Sequence, residues 1–245
     1  MIQPFDNEII IRMKEHALSE YPKEAVGYSA NDRYYEAVNS SDDPINKFKF
    51  SYQSLIEAEN NNVKCFVHSH PEGADYPTQK DQLFCITSGV PHGITRLYKD
   101  SSGEIFIQEP FFWGDQLPIT PLLGREYRHA VYDCYSLIRD YYRLEKGILL
   151  THCARRNDWW NKGEDLYLQN FERGGFIRIG EKEVKEGDVI LAQIRSPVTN
   201  HGGIYMGNSQ VLHHLHRRCS KKDNILPWRK YVTHYLRFVG PAPFI

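Results

Sequence analysis

The stretch "VHSHPEGADYPTQKD", Val67 to Asp81, decides how the first half of this chain is read. It continues the apolar run "VKCF", so His68 and His70 fall at i and i+2 of a buried strand and point to one face. Pro71 and Pro77 restrict the loop that follows. Thr78-x-x-Asp81 opens "TQKDQLFCITSG", which reads as a helix with Gly89 beyond its end. Two chemistries fit these residues. Two imidazoles and a carboxylate can bind zinc, which takes histidine nitrogen at ~2.0–2.1 Å and carboxylate oxygen at ~2.0–2.2 Å, leaving a fourth position open as in catalytic sites. Thr78 and Asp81 also read as a helix N-cap that needs no metal.

Upstream, "NEIIIRMKEHALSEY" carries Ile10, Met13, Ala17 and Leu18 at helical spacing. "EAVGYSA" and "RYYEAVNSS" read as short strands, and "FSYQSLIEAENN" as a helix. Downstream, "GITRLYKD" and "GEIFIQEPFFW" read as a hairpin around Ser102-Gly103. Alternating strands and helices predict a mixed α/β sandwich for residues 1–113. "WGDQLPITPLLGREY", with two prolines and two glycines, reads as a linker, placed at 114–124. Residues 125–245 open on "DCYSLIRDYYRLEKG", an amphipathic helix ended by Gly147. They continue through "GDVILAQI", "HGGIYMG" and "QVLHHL" as three short strands, an α+β pattern. The stretch from Ile148 to Glu186, with Trp159 and Trp160, carries no clear pattern.

The 245 residues suffice for two small domains with their own cores. With 25% charged and 41% hydrophobic residues, the composition is that of a globular protein. Net charge is −7 over residues 1–113 and +6 over 114–245, as in two domains with different partners, or as chance distributes it. No run approaches the ~18 apolar residues of a membrane span, and no export signal precedes the first helix. Synthesis in a cytoplasm is therefore expected. Five scattered cysteines without a Cys-x-x-Cys read as free thiols. The basic run "HRRCSKK" suits an anionic surface or an ordinary solvated loop, and nucleic acid is not an expected partner.

In the second half, Asp133 can cap the helix that begins at Cys134. A thiol in the first turn of a helix is favoured as thiolate by the unpaired N–H groups. A buried cysteine with no such role fits the same position. Pairing Met206 with Gln210 around the loop Gly207-Asn208-Ser209 makes His213 the diagonal neighbour of His201 on one face. His201 can then deprotonate Cys134 while His213 fixes its tautomer. His214 and His216 are alternatives, His214 on the opposite face.

His68-Ser-His70, seven residues and Thr78-x-x-Asp81 resemble the JAMM motif of the JAB/MPN metallopeptidases. That resemblance implies His68, His70 and Asp81 as ligands of one zinc ion and Glu24, in "PKEAVGY", as general acid/base. It also implies Thr78 as oxyanion donor, where the family usually has serine. Zinc lowers the pKa of a coordinated water toward ~7. "DCYSLIRDYY", "EGDVILAQI" and "HGGIYMGN…VLHH" resemble the NlpC-type cysteine peptidases, with a papain-like α+β core. The roles implied are Cys134 as nucleophile, His201 as base and His213 as the orienting group, acting on peptidoglycan stem peptides. Gly202 stands where that family often has a larger apolar residue. Both halves together resemble the tail tip assembly family of lambdoid phages. That implies a virion protein, made in a bacterial host, with tail tip partners that opens peptidoglycan, assists assembly, or does both; the alternative is a mainly structural assembly factor with one or both centres inactive.

Overall fold

The computed structural model describes residues 4–240 and falls into two compact units, Met1–Pro118 and Ile119–Ile245. The outer limits expected for the two domains, 1 and 245, lie outside the described residues. The division falls inside the 114–124 stretch. Leu122 packs against the second unit's core, and the Gly124 N–H donates to the Ser220 carbonyl, so the end of that stretch is part of the second unit's packing.

In the first unit the chain runs α1 (Asn7–Glu20), β1 (Val26–Ala30), β2 (Arg33–Ala37), α2 (Tyr52–Asn60), β3 (Cys65–Pro71), α3 (Gln79–Ser88), β4 (His92–Lys99), β5 (Ile105–Ile107) and β6 (Phe111–Trp113). The sheet order is β2-β1-β3-β4-β5, with β6 also paired to β4. Only β3 and β4 are parallel, with Phe66 opposite His92 and α3 as the crossover between them. "GEIFIQEPFFW", expected to be one arm of a hairpin, is two strands that both pair with β4. Pro110 lies between them and has no N–H to offer a ladder.

Alternation along β3 sorts its side chains. Cys65 and Val67 pack with Ile9, Ile10 and Met13 of α1, while Phe66 packs with Val26, Tyr28, Phe50 and Ala58 on the other face. His68 and His70 share parity with Phe66, so they lie on the face that α2 and α3 cover. Leu18 departs from the expected apolar stripe and is 42% exposed. His16 is buried in α1, its Nδ1 3.0 Å from the Tyr34 hydroxyl.

The second unit runs α4 (Cys134–Lys146), α5 (Leu166–Asn170), β7 (Phe176–Ile179), β8 (Val189–Ala192), β9 (His201–Tyr205), β10 (Gln210–His213), β11 (Lys221–Asn224) and β12 (Val232–Phe238). The sheet order is β11-β10-β9-β8-β12-β7. Every neighbouring pair is antiparallel. Leu137, Ile138, Tyr141 and Tyr142 of α4 form one core with Val189, Leu191, Ile204, Leu212 and Leu236. Three strands lie outside the sequence reading: β7, β11 and β12. β11 begins inside the basic run, so Lys221 and Lys222 are strand residues rather than loop.

Candidate functional site

In the first unit, β3 and the first turn of α3 converge. His68 Nε2 and His70 Nε2 lie 3.1 Å apart; Asp81 Oδ1 is 3.6 Å from the former and Oδ2 3.4 Å from the latter. All three residues are buried, with one ligand atom from each within 4.8 Å of the others. Phe48 stacks on His68 with ring centroids 4.1 Å apart. The His70 Nδ1 lies 2.9 Å from the Ala74 carbonyl. A carbonyl only accepts, so Nδ1 holds a proton, and in the neutral form of the ring the lone pair lies on Nε2, toward His68 and Asp81. A hydrogen bond from the other ring nitrogen to a carbonyl is the usual companion of a metal-ligating imidazole. The donor set therefore fits zinc.

The helix cap is formed as well. The Asp81 N–H donates to Thr78 Oγ1 at 3.3 Å, and the Thr78 N–H donates to Asp81 Oδ2 at 2.7 Å. The two readings of Thr78-x-x-Asp81 are compatible, because one carboxylate caps α3 and faces both histidines. Burial works against the Asp81 carboxylate, but the two imidazoles hold its pKa well below the usual range. Burial also pushes His68 down; it works against charged His70 in the same way, but Asp81, the Ala74 carbonyl and Glu24 together raise His70.

Glu24 reaches this cluster through strand pairing. Val26 is opposite His68, and the Ser69 N–H donates to the Ala25 carbonyl. Continuing that antiparallel register sets Glu24 opposite His70 on the same face. The carboxyl is buried, and its pKa is pushed up to about 7 by burial, with Asp81 adding to the rise and His70 opposing it.

In the second unit, Asp133 caps α4 by accepting from the Ser136 N–H at 3.0 Å. Its carboxylate also accepts from the Ala130 N–H at 2.8 Å and from Arg155 Nη2 at 2.6 and 2.8 Å. Despite burial, Arg155 and His129 hold Asp133 well below the usual carboxylate range. Breaking a buried pair costs about 3–5 kcal/mol. Asp133→Asn keeps an acceptor for Ser136 but leaves Arg155 uncompensated, so we expect a loss of that size in urea unfolding at neutral pH. A depressed folded pKa gives stability that is complete above the unfolded value near ~3.9 and is lost as pH falls toward the depressed one. The gap between wild type and Asp133→Asn should therefore narrow in acid.

Cys134 opens α4 as expected, but its thiol is not depressed. Burial and the neighbouring Asp133 carboxylate raise its pKa, while the Tyr167 hydroxyl and the Gly202 N–H pull the other way. Removal from water outweighs these stabilising contacts. The Tyr167 hydroxyl lies 3.2 Å from Sγ. A Cβ on Gly202 would meet Ile138 Cδ1 at 2.8 Å and that same hydroxyl at 3.0 Å. Tyr167 thus occupies the room that a larger residue at 202 would need, and the small residue there was the one sequence sign of it.

The register predicted around residues 207–209 is the observed one: Val211 pairs Tyr205, and Met206 N–H donates to the Gln210 carbonyl at 2.9 Å. His201 Nε2 lies 3.0 Å from His213 Nδ1. His213 Nε2 lies 3.1 Å from Asp223 Oδ2 on β11, a strand the sequence reading did not include. Burial, with His213 and His214 beside it, lowers the pKa of His201 to about 3. Burial also lowers His213, against the pull of Asp223. His214 turns away and bonds the Arg218 carbonyl at 2.9 Å.

Cys134 and His201 line one cavity of about 270 Å³, together with Tyr127, Trp159, Trp160 and Tyr167. Residues 108–237 match the NlpC/P60 family. The chain belongs to that family. The NlpC/P60 match begins before the unit division and takes in Cys134, His201 and His213. Tail tip assembly protein K of Escherichia phage lambda is 32% identical over 188 residues, 76% of this chain and 87% of its own. Tail tip assembly protein K of Escherichia phage N15 is 30% identical over 216 residues, 84% of each chain. The solved NlpC/p60 domain of peptidoglycan hydrolase SagA matches at 16% identity, over 48% of this chain and 90% of its own. Its TM-score is 0.34, too low to add to the assignment. No helix among the described residues is long and apolar enough to cross a membrane.

Proposed function

We propose that this NlpC/P60 protein is a cysteine endopeptidase of peptidoglycan stem peptides that works at, and helps to assemble, a phage tail tip. The observation that carries the enzymatic part is that His201 lines the cavity that holds the Cys134 thiol and is itself hydrogen-bonded to His213. Cys134 Sγ attacks the carbonyl carbon of a stem-peptide bond, and His201 Nδ1 takes the thiol proton. The C–N bond breaks as His201 returns that proton to the leaving amine. Water, deprotonated by His201, then cleaves the thioester and restores the thiol. Because the thiol is half-buried and its pKa raised, the base has to act during attack rather than hold a standing thiolate. Relatives named tail tip assembly protein K support the assembly role and a place among tail tip proteins.

The first unit would add a zinc-dependent peptidase or isopeptidase centre. His68, His70 and Asp81 would hold the ion, Glu24 would move protons between water and leaving amine, and the Thr78 hydroxyl would face the developing oxyanion. Bound there, zinc supplies Lewis-acid polarisation at neutral pH.

A second reading, an assembly factor whose thiol centre is silent, draws on one observation: Cys134 is covered by Tyr167 and its thiol is pushed up. Incubating purified Gram-negative sacculi with the full chain, and weighing the released fragments by mass spectrometry, separates the two. Fragments cut within the stem peptide are the expected result, and their masses name the bond. No release from folded protein would favour the assembly reading.

A further inference from the structure

Histidine pairs can carry their protons in more than one arrangement, and a base is useful only in one of them. Here the carboxylate at the end of the chain of contacts decides. Asp223 Oδ2 accepts only, so the proton between it and His213 sits on His213 Nε2. Neutral His213 then offers a lone pair at Nδ1, and His201 Nε2 must donate to it. Neutral His201 is left with a lone pair on Nδ1, the nitrogen free to take the thiol proton.

We propose that Asp223 is a positioning residue of the thiol centre, which fixes the tautomers of His213 and, through it, of His201. This rests on the reading of Cys134 and His201 as nucleophile and base, and extends their relay by one member. The strand register supports it. Asp223 is opposite Val211, and His213 is opposite Lys221, so Asp223 reaches His213 along the strand diagonal. The groups around the pair are few. His213 is faced by Asp223 and Lys221 from β11 and by the Trp228 ring, whose centroid is 5.1 Å from its own. Lys221 Nζ is 2.9 Å from Asp223 Oδ2, which keeps that carboxyl ionised and accepting. His201 is faced by His213 and His214, and shares its cavity with Cys134 and Tyr167. Among the described residues no other carboxylate bonds either ring of the pair.

An asparagine at 223 can donate where the carboxylate only accepts. His213 can then turn its proton to Nδ1, which forces His201 to protonate Nδ1 and lose its lone pair toward the thiol. The test is the rate at which iodoacetamide alkylates Cys134 across pH 5–9, read on the Cys134 peptide, alongside ¹⁵N spectra of the labelled histidines. Asp223→Asn should slow alkylation at neutral pH by roughly 10–100-fold, the order that loss of the hydrogen-bond partner behind a functional imidazole costs at metal sites. It should also move the His201 proton from Nε2 to Nδ1. Asp223→Glu should restore part of the rate, and Lys222→Ala, on the same strand with its side chain exposed, should match wild type. Wild-type alkylation in Asp223→Asn would overturn the proposal. So would slowed alkylation with unchanged tautomers, which would make Asp223 a support of β11 only. If wild-type Cys134 itself reacts as an unassisted thiol across the pH range, the nucleophile reading fails instead, and the spectra still report the relay.

Discussion

Cys134→Ala should lower the release of stem-peptide fragments from sacculi by at least ~10³-fold, because removal of the nucleophile from such a triad leaves only binding and oxyanion stabilisation. The substitution takes one sulfur from a site whose polar frame does not depend on it. Asp133 still caps α4 through Ser136 and still pairs with Arg155, and His201 still bonds His213. Unfolding midpoints of Cys134→Ala and wild type should therefore agree closely, and the loss is chemical. Cys153 provides the contrast. It lines the same cavity, but it opens no helix, and its backbone carbonyl accepts from Arg155 Nη1 at 2.8 Å. Cys153→Ala should keep the greater part of the release. Equal losses in the two variants would mean that the cavity shape matters and the Cys134 thiol does not. Unchanged release in Cys134→Ala would remove the thiol from the chemistry.

Much of both centres was legible because local rules fix them. The i, i+2 spacing of His68 and His70 sets their common face whatever the rest of the sheet does. The pairing of residues 206 and 210 follows from a loop of three positive-φ residues, Gly207, Asn208 and Ser209. What escaped depends on contacts between distant segments. Asp223 belongs to "KKDN", a charged run with no apolar alternation, and becomes a strand only because β10 offers it a partner edge. Tyr167 sits on a five-residue helix in the stretch without periodicity, and its place against Cys134 is set by the space left at Gly202. The thiol's raised pKa is a further non-local effect. A helix terminus can be read from sequence, but the depth at which the fold buries it cannot.

Asp81→Asn should separate the two roles that Asp81 combines. Asparagine keeps a side-chain oxygen that can accept from the Thr78 N–H, now made at 2.7 Å, so the capping of α3 persists. It removes the negative charge between two buried imidazoles, and with it the strongest attraction for a divalent cation. Metal-replete wild type should carry one zinc per chain by elemental analysis and lose it to chelator. Its first unit should gain stability with zinc according to RT ln(1 + [L]/Kd), about 4 kcal/mol at a thousandfold excess over Kd. Asp81→Asn should bind zinc more weakly by more than the ~10–100-fold that loss of an outer-shell partner costs, and its zinc-dependent rise in midpoint should vanish at the same concentration. The zinc-free midpoint is the control for the cap. His68→Ala removes a ring stacked on Phe48 as well as a ligand, so it should lower the zinc-free midpoint too, and Asp81→Asn is the cleaner variant. If wild type gains nothing from zinc at any concentration, then Thr78-x-x-Asp81 is a helix cap alone. In that case the chemistry of the chain lies with Cys134.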